Sequence, residues 1–365
     1  MRSPAFHYAW MTSLGKGREI IIGNSLHVIS NAILKLVAGV LSQHWWMPTL
    51  LMLILIPVSQ TNFLLFHTLV ELFTISIAII SAIVAWHTYG LAKNHYLLLL
   101  GGGYFFIGGL DLAHTLTFKG LPFLENGAGN ISLQFWIIAR FFEAILLLLA
   151  PLFIRTQLNP RSLVLSFTAI SLLLSLAILR GWLPDLYVDG QGLTLTKVVS
   201  EYLIILLLVG ALFTLWQQRS EIEIANFWLI NLSIILTIFA EFCFTLYSNF
   251  SDAMIITGHI LKLISFWAIY IALIESSLRR PFRNLARAAN TYDAVPDETL
   301  VVERSGEVRQ VNQAIRNNVV LPEGGDYIGA SCHALQHDPD ISEADCMVCQ
   351  CIQQGESLTG FEFYN

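Results

Sequence analysis

Charge is scarce in this sequence. Only 13% of its 365 residues are Asp, Glu, Lys or Arg, where a water-soluble domain carries about 25%. An ordinary soluble fold is thereby excluded for most of the chain. A secretory leader is missing too: the first 44 residues contain no short apolar core ending at a small-residue cleavage site. With Lys16, Arg18 and Lys35 set among apolar residues, that leader suits either an amphipathic helix on the inner membrane face or an unordered tail. The net charge of -6 sums two unlike regions and says little about partners.

What is present is hydrophobic. Hydrophobic residues make up 55% of the chain and the mean hydropathy is +0.63. From Trp45 to Glu275 apolar runs of about 17–25 residues succeed one another, the length that crosses about 30 Å of hydrocarbon. Beyond Glu275 the composition becomes that of a soluble chain. The expected organisation is a cytoplasmic leader over 1–44, a membrane domain over 45–278, a helical linker over 279–296 and a soluble piece over 297–365.

Eight spans are expected, near Trp45–Ser59, Phe63–Trp86, His95–Leu116, Gln134–Ile154, Ser162–Leu179, Val198–Gln217, Ala225–Tyr247 and Ile255–Glu275. Loop charge orients them. One set of loops carries Lys93, Arg155, Arg161, Arg219 and the Arg279–Arg287 cluster; the alternate set carries Lys119, Arg180 and Lys197 with Glu125, Asp185, Asp189 and Asp252. The basic set should face the cytoplasm, with both termini inside.

An ionisable side chain within a span costs several kcal/mol unless paired or wetted. The second span holds His67 and Glu71, an i,i+4 pair on one helix face, and the third holds Asp111 and His114. Arg140 and Glu143 fall in the fourth, Glu201 in the sixth, Glu241 in the seventh, and His259 with Lys262 in the eighth. In the expected orientation all ten lie in the extracytoplasmic half and should converge on one cavity. Five carboxyls face two cations, leaving the cluster three positive charges short, to be supplied by protons, a bound cation or a cationic ligand.

Three readings stay open for the cluster. It is a metal site using His67, His114 and His259 with a carboxylate, whose ligand mix suits zinc, iron or copper; a small-molecule or cofactor pocket; or an internally satisfied network that pins helix register. Within the cluster no HxxxH, HExxH or ExxH spacing is present. Gly101–Gly103 and Gly108–Gly109 suit close helix approach. Trp136, Trp228, Tyr247 and Trp267 are expected as interfacial anchors more than pocket walls, although Phe244 and Tyr247 follow Glu241 and could line a pocket.

The segments FHTLVE at Phe66–Glu71, GGLDLAHTLTFKGLPF at Gly108–Phe123, QFWIIARFFEA at Gln134–Ala144, EFCFTLY at Glu241–Tyr247 and GHILKLISFWAIY at Gly258–Tyr270 resemble a bacterial membrane-associated sensor domain, the third of its named types. The resemblance covers about residues 48–278. It implies sensory input, because such domains precede histidine kinase, diguanylate cyclase and related outputs. It carries over no ligand.

After the last span, Leu278, Phe282, Leu285 and Ala289 have helical spacing, with Pro281 as a kink and arginines suited to anionic headgroups. TLVVE, RSGE and VRQVN then read as a β-hairpin and QAIRNNV as a short helix. That pattern resembles the start of a PAS domain, and IGASCHALQHDPDISEADCMVCQCIQQGE resembles its cysteine-bearing subclass. The segment is too short for a complete PAS domain, so a fragment is expected. Cys332, His337, Cys346 and Cys349 could make a zinc site, or act as redox thiols in a reducing cytosol, or simply pack as reduced cysteines.

The expected fold class is an all-α polytopic membrane bundle of about eight transmembrane helices followed by a truncated α+β PAS-like segment. Expected partners are the lipid bilayer, a second copy in a homodimer and a downstream output domain, without nucleic acid and without catalysis by the residues present. The competing reading is a proton- or ion-coupled transporter, favoured by intramembrane carboxylates and opposed by an apolar inner half without an inverted repeat. A metal-dependent membrane enzyme comes third.

Overall fold

The structure, a computed structural model, describes residues 45–121, 128–188, 192–246, 252–303, 305–319 and 325–336. Eight helices follow one another: α1 (Trp46–Thr61), α2 (Phe63–Ala92), α3 (His95–Leu116), α4 (Ala128–Leu149), α5 (Pro160–Leu179), α6 (Leu195–Gln217), α7 (Ile224–Leu246) and α8 (Ala253–Ile274). Seven of them, α2 to α8, are long and apolar enough to cross a membrane. Among the described residues the first of the eight expected spans, α1, is the one that falls short of that length. It has 16 residues with Pro57 inside, about 24 Å at a rise of 1.5 Å per residue, which is short of a full hydrocarbon core.

Local chemistry sets the helix starts. Asn62, Asn94, Asn159, Thr194 and Asp252 each accept a backbone N–H of the turn they precede, the usual work of an N-cap. Pro160 stands at the first position of α5, where its missing N–H costs nothing. α4 begins at Ala128 rather than Gln134, so Arg140 and Glu143 lie near its middle instead of early in it.

α3 is the most enclosed helix. A methyl group placed on Gly101 would meet Ala85 Cβ of α2 at 2.3 Å, and one on Gly103 would meet Leu146 of α4 at 2.3 Å. Those glycines let backbones approach closely, which is how helices gain contact in lipid. α7 and α8 are joined by hydroxyls: Ser265 Oγ lies 2.8 Å from Ser233 Oγ and 2.7 Å from Thr237 Oγ1. α5 is peripheral, with Ile178 its only buried residue.

Two short strands, β1 (Tyr187–Val188) and β2 (Gly192–Leu193), form an antiparallel pair between α5 and α6. Asn130 ties the approach to this pair onto α4, donating to Asp185 Oδ1 at 2.7 Å and accepting from Leu186 N at 2.8 Å. A π-turn at Glu275–Arg279 follows α8, with Glu275 and Ser277 buried and Ser276 accepting a hydrogen bond from Asn226 of α7.

The chain divides after Arg279 into a second compact unit. It contains α9 (Arg280–Asp293), the hairpin of β3 (Leu300–Val302) and β4 (Val308–Val311), α10 (Gln313–Asn318) and α11 (Cys332–Gln336). Val308, Val311, Ile315, Cys332 and Leu335 form its core. Asn312 is fully buried and organises the unit: its Oδ1 accepts from Thr299 N and Ile315 N, and its Nδ2 donates to the carbonyls of Val295 and Asp297. The expected hairpin and following short helix are therefore present. Cys332 is buried at the start of α11, whereas His337, Cys346 and Cys349 lie outside the described residues.

Candidate functional site

The ten ionisable side chains expected within spans are all buried, none more than 5% exposed. They form two linked groups. In the larger one Lys262 of α8 reaches across to α2 and α3, with Nζ 2.6 Å from Glu71 Oε2 and 3.1 Å from Asp111 Oδ2. Arg140 of α4 donates to both oxygens of Asp111 at 3.0 and 2.8 Å and also to Glu143 one turn along. Tyr104 closes this set by donating to Glu143 Oε1 at 3.0 Å. The Phe266 ring lies 5.5 Å from the Arg140 guanidinium and 5.6 Å from the Lys262 ammonium, a cation–π arrangement. Four helices are thus joined through their least lipid-soluble atoms.

Lys197 builds the second group and corrects its expected place among loop charges. It is 1% exposed, sits 2.6 Å from Glu201 Oε1 and donates to the Phe244 carbonyl. Its position one turn before Glu201 on α6, an i,i+4 spacing, was the available signal. Glu241 of α7 lies within electrostatic range of Glu201, Arg140, Glu143 and Lys197. Both its carboxyl oxygens lack a hydrogen-bond partner among the described residues. With Lys197 counted, five carboxyls face three cations, and the deficit falls from three charges to two.

Three histidines stand at the end of the larger group. His67 Nε2 lies 3.2 Å from His114 Nε2, and His259 Nε2 lies 3.7 Å from Glu71 Oε1. One ligand atom from each of His67, Glu71 and His259 falls within 4.8 Å of the others. His114 Nδ1 is 2.8 Å from the Ser132 carbonyl and His259 Nδ1 is 2.7 Å from the Ile255 carbonyl. Since a carbonyl can only accept, both rings carry their proton on Nδ1. The Phe118 ring stacks on His67 with centroids 4.0 Å apart.

A cavity of about 40 Å³ opens beside these rings, room for about three water-sized molecules. His67, His114, His259, Lys197, Trp136 and Phe244 contribute to its wall, and exposed Lys119 stands at its mouth. The ten side chains therefore do not all converge on the cavity. Of that set only the histidines line it; the carboxylates, Arg140 and Lys262 are packed behind them. Low dielectric explains the division, because paired charges gain most where water is excluded.

Two aromatic expectations change. Trp136 is a pocket wall, its ring 4.9 Å from that of Phe244, and Trp267 is buried against Phe73. Trp228 stays 43% exposed. Phe244 is fixed in turn by Gly258, where any methyl group would stand 2.6 Å from its ring. Tyr247 lies outside the described residues. Tyr104, Ser132, Phe118 and Lys197 are site residues that reading by charge and span did not single out.

Among curated proteins and among solved structures, none matches this chain. A family model described as Membrane-associated sensor domain matches residues 58–281, a stretch that contains α2 to α8 and every residue of the polar network. The chain is a multi-pass membrane protein belonging to the membrane-associated sensor domain family.

Proposed function

We propose that this chain is the input portion of a bacterial signal-transduction protein of the histidine kinase or diguanylate cyclase type. A small cue enters the histidine-lined cavity from the extracytoplasmic side, and α8 relays its presence to a cytoplasmic output domain. The observation that carries the reading is the double role of α8. It supplies His259 to the cavity wall and Lys262 to the network behind it, and then runs into the π-turn at Glu275–Arg279. A cue that rearranges His259 therefore acts on the helix that leaves the bundle. π-Turns recur where helices serve a function, and a helix shift is an established means of transmission.

In the same proposal the basic loops are cytoplasmic, the membrane is the inner one, and the second unit is the beginning of a PAS domain. Asn312, linking the β3–β4 hairpin to α10, supports that last assignment. Dimerisation completes it, since two relay helices can then move against each other. The test is signalling by the protein together with its output domain in cells. His259→Ala and Glu71→Gln should abolish the response to the cue while membrane insertion persists. Unchanged control would refute the reading, and substrate uptake into sealed vesicles would replace it with transport.

A further inference from the structure

We infer that His67, His259 and Glu71, whose ligand atoms lie within 4.8 Å of one another, form a binding site for a divalent transition-metal ion of the zinc class, with His114 adjacent to His67. This deepens the sensory reading by naming the chemical class of its cue, and it rests on that reading only for the consequence of binding.

The geometry fits on three independent points. Zinc–nitrogen bonds of about 2.0–2.1 Å set tetrahedral ligand edges of about 3.3 Å, and the His67 and His114 Nε2 atoms are 3.2 Å apart. The Glu71–His259 edge of 3.7 Å is a few tenths longer, within the reach of a carboxylate rotation. Secondly, the tautomers are already those of ligands. His114 and His259 donate Nδ1–H to backbone carbonyls, so each turns an Nε2 lone pair inward, the outer arrangement usual for metal-bound imidazole. Ser132 strengthens the first of these, because its own hydroxyl proton goes to the His114 carbonyl at 3.0 Å. Thirdly, Glu71 Oε1 is buried and has no hydrogen-bond partner among the described residues. Glu71 Oε2 is held by Lys262, which leaves Oε1 facing His259.

Charge points the same way. Five buried carboxyls face Arg140, Lys197 and Lys262, a deficit of two positive charges that one divalent ion closes. Imidazole nitrogens with a carboxylate oxygen suit zinc or copper(II) rather than magnesium or calcium, which prefer oxygen ligands. The stacked Phe118 and Phe63 rings give the site an apolar jacket, and the cavity mouth at Lys119 gives a path of entry.

The experiment uses the full chain in detergent, stripped with chelator and reloaded with zinc or cobalt(II) alone. Elemental analysis should find one metal per chain, and cobalt should show the ligand-field bands of a four-coordinate site. His259→Ala should weaken binding at least about tenfold. So should His67→Gln, which keeps a polar side chain beside His114 while removing the imidazole. His87→Gln, an exposed histidine near the far end of α2, should change nothing.

Absence of stoichiometric metal, with the imidazoles sharing only a proton, would overturn the assignment. So would metal that survives both histidine substitutions, or that leaves with Cys346→Ser instead. The two readings fail separately. Bound metal without effect on signalling refutes the sensory role and keeps the site. Signalling that depends on His259 in a chain that binds no metal refutes the site and keeps the role.

Discussion

Lys262→Met is the substitution whose outcome the structure specifies most sharply. The lysine is 3% exposed and stands 2.6 Å from Glu71 and 3.1 Å from Asp111. Methionine keeps the length of the side chain and removes the charge. In the metal-stripped chain two carboxylates are then left in a low-dielectric interior, Asp111 still held by Arg140 and Glu71 with no strong cation. Removing one partner of a buried pair costs about 3–5 kcal/mol, two to nearly four decades in the folding equilibrium at 1.4 kcal/mol per decade. Glu71→Gln in the same chain removes the stranded charge, so the double variant should recover at least half of the loss. The coupling energy between the two sites should be about 1–3 kcal/mol. Unfolding in mixed micelles, followed by the fluorescence of the nine tryptophans, measures all four corners of the cycle. A loss below about 1 kcal/mol for Lys262→Met, or strict additivity in the double variant, would refute the view that this lysine clamps α2 to α3.

Gly101→Ala should cost about 1–3 kcal/mol in the same assay by overpacking, because its methyl group meets Ala85 at 2.3 Å and the Ser81 carbonyl at 3.0 Å. Gly109→Ala meets nothing and should be neutral or stabilising by up to about 1 kcal/mol. Asn312→Ala removes four hydrogen bonds, the N-cap of α10 among them, a loss of about 2–4 kcal/mol, seen as fast protease cleavage of the β3–β4 segment while the membrane helices stay protected. The exposed Arg155–Glu221 pair at 2.5 Å should behave oppositely to Lys262. Its hydrogen bond from Arg155 holds the Glu221 carboxyl below the usual glutamate range. What it contributes is therefore present at neutral pH and is lost as pH falls through that lowered value. Salt screens it, and Glu221→Gln should leave the unfolding midpoint unmoved.

The legible part of this protein was what lipid forbids. Polar side chains within apolar runs are rare enough that His67, Glu71, Arg140 and Lys262 stood out individually, and caps such as Asn94 and Asn159 sit where the apolar runs begin. Less legible was anything decided by lateral packing. Lys197 reads as a loop charge until Phe244 and Glu201 are seen to enclose it. Arg140 shifts toward mid-depth because α4 starts among small polar residues, Gly129 and Asn130, that resemble a loop. Trp136 looks like an interfacial anchor because its sequence position is near a span end; only the Phe244 ring makes it a wall. The imidazole tautomers were unreadable altogether, since they depend on where the carbonyls of Ser132 and Ile255 point.

Gly258 sets one dimension of the cavity without lining it, through the Phe244 ring. The Phe244 ring rests on the bare Cα of Gly258, one residue before His259, so the width of the cavity depends on a missing methyl group. Adding it would force the ring to shift between its neighbours Trp136 and His259, changing the room beside the imidazoles without altering a charged group. Any occupant of the proposed site would thus meet a size limit written into the backbone of α8, which one carbon atom can reset.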